Sequence, residues 1–188
     1  MTALLTELAD KYGTDKGGKF HRYTDFYELL FNMLNFEPAR VLEIGVDRGH
    51  SLRMWQAYWP HAKVIGLDHR SYAANAFGGY ITTVRGDQAL PKGIGRIGDA
   101  FGPFDLVLDD GSHFSDHQHT SFLALWPHVA PSGLYICEDL DCMFNDDFRR
   151  PGKTFMDVFT FRMRVGDPGW LWRTAKGSLT AVLQKEKE

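Results

Sequence analysis

The sequence predicts an α/β fold built on a mostly parallel sheet, and three observations carry that reading. Short apolar runs recur, among them Arg40 to Ile44, Phe104 to Leu108 and Gly133 to Cys137, each followed by Gly, Asp or Glu. Such runs read as strands buried on both faces. Stretches with helical spacing separate them, so strand and helix alternate. Near the end, two strand-like runs flank Ala175-Lys176-Gly177, which reads as an antiparallel hairpin with a Gly turn. The expected architecture is a doubly wound sheet with that hairpin on one edge.

The elements follow in order. Thr2 to Asp10 reads as a short helix and Lys11 to Lys19 as a Gly-rich polar loop. Tyr23 to Asn35 carries Phe26, Leu29, Leu30, Met33 and Leu34 at helical spacing. Arg40 to Ile44 is a strand ending at Gly45. Ser51 to Trp59 is a helix, capped near His50-Ser51 and stopped by Pro60; Trp55, Tyr58 and Trp59 are its core side. Val64 to Leu67 is a strand ending at Asp68, and Ile81 to Val84 precedes Gly86-Asp87-Gln88. Leu106 to Leu108 is the fourth strand. Asp116 to Leu125 is a helix ended by Trp126-Pro127. Pro131-Ser132-Gly133 is a turn, Leu134 to Cys137 a strand, and Asp141 to Lys153 a loop. Trp170 to Thr174 and Ser178 to Gln184 form the hairpin.

Bulk properties bound the function. A chain of 188 residues suits one domain, taken here as 1–188. A formal net charge of −3 argues against a nucleic-acid surface. The first residues lack a basic, apolar leader, and no run is long enough to span a membrane. Cys137 and Cys142 suggest no disulfide framework, so a reducing, cytoplasmic setting is expected.

The chemistry concentrates at strand ends. Asp109-Asp110-Gly111-Ser112-His113 and Glu138-Asp139 each follow an apolar run. Ligands of open α/β sheets bind outside the carboxyl ends of strands, so Asp110, His113, Glu138 and Asp139 should converge on one rim. Three carboxylates together repel unless a cation sits among them. A histidine beside that cation is placed to move protons.

Val41 to Ser51 reads as a strand, a Gly turn and a helix start, a Rossmann-like unit. Its glycines, Gly45 and Gly49, are spaced G-x-x-x-G rather than the dinucleotide G-x-G-x-x-G, so a pyrophosphate has no seat. Glu43 would repel phosphate and suits a ligand ammonium. Asp68 can accept from two ribose hydroxyls, and Asp87, with Gln88 beside it, can take an adenine amino group. This layout resembles the class I S-adenosylmethionine-dependent methyltransferases, whose cofactor has a ribose, an adenine and an amino acid but no phosphate.

Lys11-Tyr12-Gly13-Thr14-Asp15-Lys16, His21-Arg22-Tyr23-Thr24, the Asp109 to His113 motif and Glu138-Asp139-Leu140 narrow the likeness. Together they resemble the metal-dependent O-methyltransferases of macrolide and polyketide tailoring, of the mycinamicin and demethylmacrocin type. The resemblance covers roughly Lys11 to Leu140. It implies Asp110, Glu138 and Asp139 as ligands of a divalent ion, usually Mg²⁺, and His113 as the base. It also implies that residues 1–39 supply N-terminal helices and a cofactor-covering loop. Apart from the resemblance, Lys11 to Lys19 reads either as a linker or as a cover that sets Tyr12, Thr14 and Lys16, with the following His21 and Tyr23, over the methionine end. The expected cofactor contacts are thus Tyr12, Thr14, Glu43, Gly45, Gly49, Ser51, Asp68, Asp87, Gln88 and Asp110. Residues 141–169 are expected on the substrate side. The partner is a small-molecule hydroxyl acceptor, a glycosylated or aromatic polyketide, with no nucleic acid or membrane; a homo-oligomer stays open.

Other readings compete. A cephalosporin-hydroxylase-like tailoring protein shares strand-end motifs of this kind. A cofactor-binding but inactive partner subunit would not need the intact Asp110, His113, Glu138 and Asp139 set. The His113 and His117 pair invites zinc, but no Glu follows His113 and no cysteine cluster is near.

Overall fold

The computed structural model describes residues 4–72 and 76–186. Its strands are β1 (Arg40–Ile44), β2 (Lys63–Asp68), β3 (Ile81–Arg85), β4 (Phe104–Asp109), β5 (Val129–Cys137), β6 (Gly169–Arg173) and β7 (Leu179–Gln184). They form one sheet in the order β3-β2-β1-β4-β5-β7-β6. Neighbours from β3 to β5 pair in parallel, while β7 runs antiparallel to both β5 and β6. This is the mostly parallel α/β sheet with a C-terminal hairpin on its edge.

Period-2 alternation sends successive strand residues to opposite faces, and both faces are covered. Val41, Val64 and Leu106 pack under α1 (Leu4–Tyr12), α2 (Tyr23–Leu34) and α3 (His50–Tyr58). Leu42, Ile65 and Val107 pack under α4 (Pro91–Phe101), α5 (Ser115–Leu125) and α6 (Phe155–Arg164). Trp55 is fully buried and Trp59 nearly so, as core residues of α3. Strand order reverses between β1 and β4, and a crevice opens outside their carboxyl ends.

Four local expectations need correction. Lys11 and Tyr12 belong to α1 rather than to the following loop, while Thr2 lies outside the described residues. Helix α4 was not expected, because Gly93, Gly95 and Gly98 weaken its propensity. Burial of Ile94 and Ile97 holds it, and Gly98 leaves room for the His128 ring, which a Cβ would meet at 2.3 Å. Helix α6 was also missed, although Thr154 and Asp157 form a reciprocal cap at its start. Pro131-Ser132-Gly133 is part of β5 rather than a turn before it. Ser132 N–H donates to the Lys185 carbonyl and Lys185 N–H to the Gly133 carbonyl, and the pairing with β4 shifts register here. Among the described residues, no helix is long and apolar enough to cross a membrane.

Candidate active site

Gly45 follows β1 at φ 95°, and a Cβ there would lie 2.1 Å from the Asp110 carbonyl oxygen. Glycine alone lets the ends of β1 and β4 come this close in that conformation. Asp68 then shapes the turn. Its Oδ2 accepts from the backbone N–H groups of Val46 at 3.0 Å and Asp47 at 3.2 Å, and its Oδ1 from that of Arg70 at 2.9 Å. Burial pushes the Asp68 carboxyl up, but these donors outweigh it and hold the group at about 2.

A cavity of about 640 Å³ lies over these strand ends. Thr14, Gly45, Ser51, Asp68, Asp87, Gln88 and Asp110 line it, as do Gly13 and Asp15 of the N-terminal loop. Three expected contacts do not line it. Tyr12 packs against the core at the end of α1. Gly49 is covered by Phe77, whose ring a Cβ would meet at 2.4 Å. Glu43 is fully buried: its Oε2 accepts from the Trp55 indole N–H at 3.0 Å, and its Oε1 lies 3.5 Å from Lys16 Nζ. The ammonium Glu43 faces is therefore the chain's own. Burial pushes Glu43 up to about 7 against the pull of Lys16.

Gln88 braces the loop after β4. Its amide nitrogen donates to Asp109 Oδ1 at 2.7 Å, and its oxygen accepts from the Ser112 N–H at 2.8 Å. Asp109 is fully buried, and burial pushes it up to about 7. It does not line the cavity; it accepts from Gln88, Tyr135 and the Gly111 N–H. Asp109 thus sets the geometry from which Asp110 and His113 project.

At the rim, Asp110, His113 and Asp139 each offer a ligand atom within 4.8 Å of the others. His113 Nε2 lies 4.0 Å from Asp110 Oδ1 and 3.9 Å from Asp139 Oδ2. His113 and Asp139 sit at φ 59° and 51°. Non-glycine residues in this region store strain, which accumulates at functional sites. His113 Nδ1 is buried without a hydrogen-bond partner. The carboxylate oxygens fit a hard divalent cation, and an imidazole beside them that is not a ligand is placed to move a proton. Among the described residues no second such group occurs, and His117 instead lies 2.8 Å from Ser112 Oγ through its Nδ1.

Glu138 stands just behind this group. Its Oε1 accepts from the Tyr27 hydroxyl at 2.5 Å and its Oε2 from Lys16 Nζ at 2.6 Å. Lys16 also donates to Asp110 Oδ2. Burial pushes the Glu138 carboxyl well up against the pull of Lys16. Burial opposes the Lys16 charge too, but Asp110, Glu138 and Glu43 overcome it and raise the ammonium. The Tyr23 hydroxyl donates to Asp139 Oδ1 at 2.6 Å. Tyr23, Lys16 and His21, expected over the methionine end, do not line the cavity: Tyr23 serves Asp139, Lys16 the acidic groups, and His21 Nδ1 lies 2.6 Å from Ser178 Oγ. The Tyr27 contact and the ionic contacts of Lys16 escaped sequence reasoning. The spacing of Tyr23 and Tyr27, on one face of α2, was the available signal for Tyr27.

A family model described as a methyltransferase domain matches residues 42–140. The chain is 42% identical over 145 residues to the mycinamicin VI 2''-O-methyltransferase of Micromonospora griseorubida, covering 72% of this chain and 36% of that protein. It is 43% identical over 145 residues to the demethylmacrocin O-methyltransferase of Streptomyces fradiae, with the same coverage of 72% and 36%. The chain thus spans about a third of the length of these relatives. Among solved structures, the MycE methyltransferase of the mycinamycin pathway, in complex with Mg, SAH and mycinamycin VI, superposes with a TM-score of 0.83 at 32% identity. That match covers 97% of this chain and 54% of MycE.

Proposed function

From the premise that this chain belongs to the methyltransferase-domain family, we propose that it moves the methyl group of S-adenosylmethionine to a hydroxyl of a glycosylated polyketide, with a divalent metal ion. The observation that carries this is the adjacency of two features. Asp110 belongs to both: it lines the strand-end cavity with Asp68 and Asp87, and it stands in the rim group with His113 and Asp139. Two relatives from Streptomyces olivaceus, 38% and 39% identical, are named as 3'-O- and 2'-O-methyltransferases of rhamnosyl tetracenomycin C compounds, which supports a sugar hydroxyl as acceptor.

Asp68 and Asp87 orient the nucleoside, and Gly45 lets the backbone approach it. Asp110 and Asp139 would hold Mg²⁺, and Glu138 completes the acidic centre; a direct bond from Glu138 requires its Oε2 to leave Lys16. When bound, such an ion would supply Lewis acidity, lowering the pKa of the acceptor hydroxyl. His113 takes the hydroxyl proton at Nε2. The acceptor oxygen then forms the new O–C bond as the S–C bond breaks, leaving S-adenosylhomocysteine, and His113 passes its proton to solvent. Positioning and fixed charge carry most of the acceleration.

The test is transfer of labelled methyl from S-adenosylmethionine to a panel of glycosylated polyketides, with Mg²⁺ and with EDTA. The reading expects label in a sugar ether only with Mg²⁺. Transfer undiminished by EDTA would remove the metal from it.

A further inference from the structure

Lys16 is the strongest group that the proposed reaction leaves without a task. Its side chain is essentially unexposed, yet it carries a charge, and burying a charge is costly unless it is paired. Its Nζ donates to Asp110 Oδ2 and, at 2.6 Å, to Glu138 Oε2, with Glu43 Oε1 at 3.5 Å. These partners sit on the ends of β4, β5 and β1, so one ammonium reaches three strands.

The backbone carrying Lys16 is cavity wall. Gly13, Thr14 and Asp15 line the cavity just before it, and its own carbonyl accepts from Thr24 N–H at 3.1 Å as α2 begins. Thr14 Oγ1 accepts from Lys16 N–H at 3.5 Å, so wall and anchor form one short turn. Glu43 and Glu138 do not line the cavity, yet they hold the residue that seats its wall. On Asp110, Lys16 takes Oδ2 and leaves Oδ1 facing His113.

We propose that Lys16 is a positioning residue, whose buried ammonium seats the cavity-lining loop on the acidic rim and fixes the orientation of Asp110. Cofactor affinity then depends in part on Glu43 and Glu138, carboxylates that do not line the cavity. This deepens the proposed function and rests on it.

The experiment uses the full chain in EDTA, as wild type, Lys16→Met and the double variant Lys16→Met with Glu138→Gln. The double variant removes the Glu138 charge, one of the two fully buried carboxylate charges that Lys16→Met alone would strand, and so lessens the cost to the fold. Three readouts are taken: amide hydrogen exchange and the thermal midpoint without ligand, and calorimetric affinity for S-adenosylhomocysteine. Amides of residues 13–24 should exchange at least about tenfold faster in both variants, with β4 and β5 amides in the double variant as slow as in wild type. The affinity of the double variant should fall about tenfold or more, although its thermal midpoint recovers. A packing role alone would restore affinity together with stability. Wild-type loop protection and affinity in the double variant would overturn the proposal. Wild type failing to bind S-adenosylhomocysteine would instead overturn the proposed function, since the exchange readout needs no ligand.

Discussion

His113 is held in a left-handed backbone conformation with Nε2 about equally far from Asp110 and Asp139. That placement suits proton removal at the rim. His113→Ala should lower turnover by roughly 10²–10⁴, the range for a lost general base, with S-adenosylhomocysteine affinity unchanged. Near-normal turnover on a confirmed acceptor would remove His113 from the role. Asp68 makes a prediction about stability. Its folded pKa is depressed from 3.8 to about 2, so its contribution is complete above about 4 and lost as pH falls through about 2. Denaturant midpoints of wild type and Asp68→Asn should therefore differ near neutrality and converge in that acid window. Glu43 has the opposite sign. Raised from 4.5 to about 7, it favours the fold below 4.5, and that benefit is lost as pH rises through about 7. The clustering of Asp110, His113 and Asp139 was legible at this scale because each follows an apolar run that ends as a parallel strand on the same rim. The Lys16 contacts were not, since they join positions 94 and 122 residues apart.

At the scale of elements, what the sequence disclosed followed the strength of the local signal. The strands β1, β2 and β4 are apolar on both faces and therefore stand out. The helix α4 hides behind three glycines, and α6 behind the Pro151-Gly152 break that precedes it. The α6 cap is testable alone. Thr154→Ala should cost about 1 kcal/mol of stability in denaturant melts. It should leave cofactor affinity intact, because α6 packs against the far layer and none of its residues lines the cavity. Gly45→Ala should behave differently. The new Cβ meets the Asp110 carbonyl oxygen in a disfavoured conformation, so stability should fall by about 1–3 kcal/mol and cofactor binding with it. Equal cofactor affinity in Gly45→Ala would show that the β1 turn does not shape the cavity.

For the whole molecule, the alternation of strands and helices places the reversal of strand order between β1 and β4, and so places the site. Domain membership rests on residues 42–140, while the relatives are far longer than this chain. The proposed cofactor of the cavity outside the carboxyl ends of the central strands is S-adenosylmethionine rather than a dinucleotide. Isothermal titration of the full chain with S-adenosylhomocysteine, against NAD as control, tests it most directly. The account predicts saturable binding of one S-adenosylhomocysteine per chain, weakened in Asp68→Asn, and no heat from NAD beyond dilution. Saturable NAD binding with no response to S-adenosylhomocysteine would contradict it.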